Sequence, residues 1–243
     1  TDWTREFDWD IFKSVDPTSH SGSFGDTFTS YYTVSVDQTV TEYGYKVFGT
    51  ITVENPAPMA MTVILSDELT IGMVSSPAEI TGCTGEGVAF DVATGELVIP
   101  ALGTATCAYE EDLLDTTGGT NTAIVTLNQI DFDAEAAFTF GDPTIVGYPE
   151  INVFDYFEAL PGFELGSATG DFTFPVYPRD FTCPMDAAEY ENGLFIGVYD
   201  NIARIIETGD EADARVTIEC QGYWSFTPGF WKNHTADSAS GHD

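Results

Sequence analysis

The sequence predicts an all-β chain built of antiparallel sandwiches, and three observations carry that expectation. Short β-branched and aromatic runs with period-two alternation recur along the whole length. Gly and Pro, with 23 and 12 copies in 243 residues, fall in the spacers between those runs as turn residues. No stretch carries an apolar helical period over a dozen residues. A length of 243 residues, against roughly 150 per domain, then predicts two sandwiches rather than one.

Residues Thr1 to Val15 open the chain as a strand. Trp3, Phe7, Trp9, Ile11 and Val15 occupy odd positions, interrupted by Arg5 and Lys13, and Asp2, Thr4, Glu6, Asp8 and Asp10 occupy even ones. An extended backbone sets these two groups on opposite faces. Such a strand either pairs inside its own sandwich or leaves its chain to complete the sheet of a neighbouring subunit, by β-strand addition of the donor-strand type. Further strands are expected at Thr27 to Val36, Tyr45 to Val53, Met61 to Leu65, Gly95 to Ile99, Thr104 to Tyr109 and Thr122 to Leu127. Others follow at Ile151 to Phe154, Asp171 to Phe174 and Ala214 to Glu219, while Asp186 to Glu191 reads as a single helical turn.

A weak internal repeat supports the pair of sandwiches. Thr62-Val63-Ile64-Leu65-Ser66-Asp67 parallels Glu150-Ile151-Asn152-Val153-Phe154-Asp155, and Asn121-Thr122-Ala123-Ile124-Val125 parallels Asn201-Ile202-Ala203-Arg204-Ile205. Each half thus offers a strand ending in Asp, a cysteine-bearing segment, and an Asn-x-Ala strand. The expected partition is an N-terminal strand at 1–15, one sandwich at 16–129, a second at 130–220, and a tail at 221–243 that is first aromatic and then small and polar.

Forty Asp and Glu against seven Lys and Arg give a formal charge of -33. Nucleic acid and anionic membrane surfaces are excluded as partners, because both are bound by clustered cations. An apolar content of 43% argues against a disordered chain, and no run is long enough for a membrane span. The first residues lack the pattern of a signal peptide, as expected of a processed chain or of one that never carried a leader. The acid excess has three readings: a salt-rich habitat, calcium-stabilised modules, or solubility of an exposed protein. Solubility ranks first. Calcium is kept for Asp131, Asp133 and Glu135, which an extended strand sets on one face near the expected domain junction; no cofactor is otherwise required.

The four cysteines, Cys83, Cys107, Cys183 and Cys220, form no C-x-x-C pair. One disulfide per half, Cys83 with Cys107 and Cys183 with Cys220, fits two domains in an oxidising compartment, each loop contributing roughly 3–4 kcal/mol. Four unpaired buried thiols are the alternative.

Enzymatic constellations find little material. The three histidines are His20, His234 and His242, and there is no Gly-x-Ser-x-Gly elbow, phosphate-cradling loop or His-Glu-x-x-His. Asp115-Thr116-Thr117-Gly118 departs from the aspartic-protease Asp-Thr-Gly by an inserted Thr and reads as a turn. Forty acids bring some carboxylate pair to glycosidase separation by chance alone. The sequon Asn233-His234-Thr235 is too short a pattern to use.

Several segments carry a resemblance: Phe7-Asp8-Trp9-Asp10-Ile11-Phe12-Lys13-Ser14-Val15-Asp16-Pro17, Val47 to Pro56, Cys107-Ala108-Tyr109, Asn121-Thr122-Ala123, and Thr227-Pro228-Gly229-Phe230-Trp231-Lys232-Asn233-His234. In order and content they resemble secreted prokaryotic surface proteins with tandem immunoglobulin-like repeats and a Gly-aromatic-Trp-Lys-x-His tail element. The resemblance implies immunoglobulin-like sandwiches and an extracellular, structural or adhesive role at the cell surface, and it supplies no catalytic residues. The expectation is therefore a non-enzymatic subunit that polymerises with identical copies into a filament or sheath. Assembly is assigned to Trp3, Phe7, Trp9, Ile11 and Val15, or failing these to the aromatic tail with Trp224 and Trp231. A monomeric adhesin or surface-layer module is the alternative, and a secreted polysaccharide hydrolase ranks third.

Overall fold

A computed structural model describes residues 1–158 and 160–222, and the protein is all-β. The strands, in chain order, are β1 (Asp2–Asp16), β2 (Ser19–Ser23), β3 (Thr27–Glu54), β4 (Met61–Ile71), β5 (Val74–Pro77), β6 (Glu79–Thr84), β7 (Ala89–Asp91), β8 (Glu96–Ile99) and β9 (Thr104–Asp112). They continue as β10 (Gly119–Leu127), β11 (Ile130–Phe138), β12 (Thr144–Gly147), β13 (Ile151–Phe157), β14 (Phe163–Ala168), β15 (Phe172–Thr173), β16 (Tyr177–Thr182), β17 (Leu194–Ile205) and β18 (Glu211–Gln221). The expected helical turn is a single 3-10 turn, Ala187–Glu189, capped by the Asp186 carboxylate on the Ala188 N–H.

Two compact units form, and neither is continuous in sequence. The first holds Thr1–Phe7 and Val40–Gly147; the second holds Asp8–Thr39 and the described residues from Tyr148 onward. This differs from the expected boundaries at 15 and 129; β18 ends at Gln221, and the expected tail beyond Gly222 lies outside the described residues. Asn128 and Gln129 are not a junction: both lie in the left-handed region (φ 52° and 69°) and form the two-residue turn that sets Leu127 opposite Ile130 in the β10–β11 hairpin. β1 and β3, at 15 and 28 residues, exceed the usual strand length and contribute to both units. Alternation identifies such strands but says nothing about where along them one core ends.

In unit 1, β3 lies between β1 and β9, β6 follows β9, and Thr4–Phe7 pairs in parallel with Thr144–Gly147. The facing sheet runs β11-β10-β4-β8-β7, with β5 folded onto β4. Period-two alternation sends Ile51, Val53, Ile80, Ala105 and Cys107 from one sheet toward Val63, Leu65, Leu97, Ile99 and Ala123 from the other. Gly95, in the turn between β7 and β8, permits a tight approach to β4: its φ is +73°, and a Cβ there would sit 2.6 Å from the Leu65 carbonyl oxygen.

In unit 2, β3 pairs with β15 and β16, and the facing sheet runs β14-β13-β17-β18-β2. Trp9, Val34, Val36 and Phe174 pack against Ile151, Val153, Ala203 and Ile205, and Tyr32 and Phe181 against Val216 and Ile218. Each fully buried aliphatic or aromatic side chain contributes about 1.5–3 kcal/mol before ordering costs. Both expected disulfides are present. Cys83 and Cys107 are directly opposite on β6 and β9 and so join neighbours in one sheet, whereas Cys183, just past β16, and Cys220, on β18, tie the two sheets of unit 2.

Candidate functional site

The apolar face of β1 is covered within its own chain. Trp3 is 7% exposed, donates its indole N–H to the Gly141 carbonyl at 2.9 Å and stacks on Tyr45; Trp9 is 6% exposed and donates to the Tyr148 carbonyl at 2.7 Å. Phe7 is half-buried, and Ile11 and Val15 pack against the two cores of unit 2. The strand thus sits as a strand of its own fold, the first of the two expected arrangements. Lys13 shares this inward face and is buried with it. Trp224 and Trp231, with the rest of the aromatic tail, lie outside the described residues.

Asp131, Asp133 and Glu135 do share one face of β11, as alternation requires, and the strand is exposed throughout that stretch. Successive acids on one face stand about 6.6–6.8 Å apart along a strand, so the three spread out rather than converge. Asp131 already accepts a hydrogen bond from the Thr126 hydroxyl at 2.6 Å. Among the described residues no three His, Cys, Asp or Glu are gathered to hold a metal ion.

A concave opening lies in the side of unit 1. It has a volume of about 450 Å³ and is lined by Ile51 and Val53 of β3, Val125 and Leu127 of β10, Met61, and Phe132 of β11, with Glu54 and Asp133 at its rim. Arg5 bonds Glu42 and Trp3 stacks on Tyr45, so these residues of β1 lie alongside the middle of β3, whereas the opening is lined by the last residues of β3. Opposite, β11 is the edge of its sheet and pairs, among the described residues, with β10 alone. Phe132 and Ile130 are 58% and 60% exposed there. An apolar slot flanked by a strand edge has the form that strand addition uses. Sequence reasoning missed it because alternation says which residues face inward and not whether a neighbour covers them.

The internal repeat proves to be a repeat of register. Asp67 stands opposite Ala123 in β4–β10 and Asp155 opposite Ala203 in β13–β17, while Asn121 and Asn201 stand opposite Leu69 and Phe157. All four polar residues are buried. In unit 1, Asn121 donates its amide N–H to Asp67 Oδ2 at 2.7 Å, and burial pushes the Asp67 carboxyl above its ordinary range. In unit 2 the Asp faces Lys13 instead.

His20, the one histidine among the described residues, is engaged by the Ser30 hydroxyl at 2.8 Å and stacks on Phe28. No helix among the described residues is long and apolar enough to cross a membrane. No protein-family model matches the sequence, and no curated protein matches it.

Proposed function

We propose that this chain is a non-enzymatic structural subunit of an extracellular filament or sheath, joined to an identical copy by a strand that enters the groove of unit 1. The observation that carries this reading is the apolar opening between Ile51–Val53 and Val125–Leu127 beside the free edge of β11. The entering strand is assigned to Tyr223 to Trp231 of the next copy. Within it Trp224 and Phe226 alternate with Ser225 and Thr227 ahead of Pro228-Gly229, and Lys232 follows as a cation suited to Glu54 and Asp133 of the groove. A head-to-tail contact of this kind uses two different surfaces and propagates rather than closes. The two disulfides support an oxidising, extracellular setting.

Negative-stain microscopy of the full chain and of a chain ending at Gly222 tests the proposal. Fibres are expected from the first alone, and Val125→Asp in the full chain should abolish them while circular dichroism stays that of a β protein. Fibres that persist without residues 223–243, or single particles and flat lattices from the full chain, would remove it; the latter outcomes belong to an adhesin or surface-layer module.

A further inference from the structure

Unit 2 contains a sealed polar cluster that the assembly surface does not use. Lys13 reaches inward from β1 and its ammonium contacts Asp155 Oδ1 of β13 on the facing sheet; both side chains are 0% exposed. The same nitrogen donates to the Tyr177 hydroxyl at 2.9 Å, and Asn201 Nδ2 donates to that hydroxyl at 3.4 Å. The rings of Tyr32 and Tyr177 stack on one another and flank the amine at 5.3 and 5.7 Å. Asp155 Oδ2 is buried with no hydrogen-bond partner among the described residues, the Arg179 guanidinium lying 3.8 Å away. An amine and a carboxyl group are thus held in contact, walled by aromatic rings, with one carboxyl oxygen unsatisfied.

We propose that Lys13 and Asp155 condense into a side-chain amide, a covalent staple between the two sheets of unit 2. One proton moves from the ammonium to the carboxylate across the contact, leaving a neutral amine and a carboxylic acid. The Nζ lone pair attacks Cγ, the N–Cγ bond forms, and the Cγ–Oδ1 bond breaks; the protonated Oδ1 leaves with one amine proton as water, and Oδ2 remains as the amide oxygen. One amine and one acid give one amide and one water, and no oxidant or activating group is needed. The enclosure favours the neutral amine, since burial lowers the Lys13 pKa. Tyr177 touches the reacting nitrogen and is the group placed to carry its proton to the leaving oxygen; burial and then the Asp155 carboxylate raise its own pKa, so it stays protonated. Asn201 is a positioning residue for that hydroxyl. Unit 1 repeats the Asp–Asn register without a lysine: Lys46 pairs at the surface with Glu110 and Asp112. It should remain unstapled. The proposal does not depend on what the chain assembles into.

Intact-mass spectrometry of the purified full chain, denatured and with its disulfides reduced, reads the bond directly. The expected mass is lighter than the sequence by one water, and Lys13→Met should restore the full value. Tryptic mapping of the wild-type chain should show no cleavage after Lys13 and a peptide spanning residues 6–46 joined to one spanning 47–179. This map needs no variant, so it decides even if Lys13→Met fails to fold. An unmodified mass, or a water loss mapping elsewhere or persisting in Lys13→Met, would show that the pair is only a buried ion pair. Loss of ammonia with Lys13 joined to Asn201 would overturn Asp155 as the acceptor.

Discussion

Asp67 and Asp155 hold the same register in their units, yet Asp67 is buried beside an amide and Asp155 beside an ammonium. The carboxyl of Asp67 is pushed up by burial, so the folded state binds its proton more tightly than the unfolded chain does. Its stabilising contribution is therefore complete below the ordinary Asp value and lost as pH rises through the raised one. Asp67→Asn, which keeps a side chain of the same shape beside Asn121, should then stabilise the protein at pH 7 by on the order of 1 kcal/mol, or about 2–4 °C in Tm, with no gain at pH 3. Paired thermal melts at the two pH values check this, and an equal effect at both would show that ionisation of Asp67 is not the cause. The sequence already marked Asp67, Asp155, Asn121 and Asn201 as corresponding positions. It did not show that they are buried in pairs, because similarity between two segments carries no information about depth. Lys13 was legible only as an interruption in an apolar face, since alternation assigns a residue to a side of the strand and not to a partner across the core.

At the scale of elements, the strands were largely legible and their partners were not. The runs around β3, β4, β9, β10 and β13 announce themselves by β-branched alternation. Nothing in that pattern tells that β1 supplies Trp3 to one unit and Trp9 to the other, or that Asn128–Gln129 is a hairpin turn. The covered position of β1 has a measurable consequence. Deleting Thr1 to Ile11 removes both indoles and their hydrogen bonds, each comparable to a large-to-small core substitution of about 3–5 kcal/mol. Chemical denaturation should therefore show both units weakened, whereas a strand destined for another subunit would leave a stable truncated chain. The disulfides separate in the same experiment. On the chain-entropy model, replacing both cysteines of the Cys183–Cys220 bridge by serine costs about 4 kcal/mol and of the Cys83–Cys107 bridge about 3.5 kcal/mol. The first loss should be the more disruptive, because that bridge spans two sheets whereas the other reinforces a strand pair already joined by backbone hydrogen bonds.

For the whole molecule, the charge of -33 sets the terms on which copies meet. Two such chains repel before any strand finds a groove, and the repulsion acts over the Debye length, about 10 Å at 0.1 M salt and 3 Å at 1 M. The proposed contact is mainly apolar, through Ile51, Val53, Val125 and Leu127, and burial of such surface is not weakened by screening. In that proposal one favourable pairing would oppose this trend, Lys232 with Glu54 and Asp133 of the groove, and an exposed ion pair contributes about 0–1 kcal/mol. Repulsion between the two acidic chains therefore dominates the salt dependence. The concentration at which fibres first scatter light should fall as NaCl rises from about 0.1 to 1 M, and Lys232→Gln should shift that threshold only slightly at either salt. If fibres instead dissolve as salt is added, assembly is held by charge pairing, and the apolar groove is not what joins the subunits.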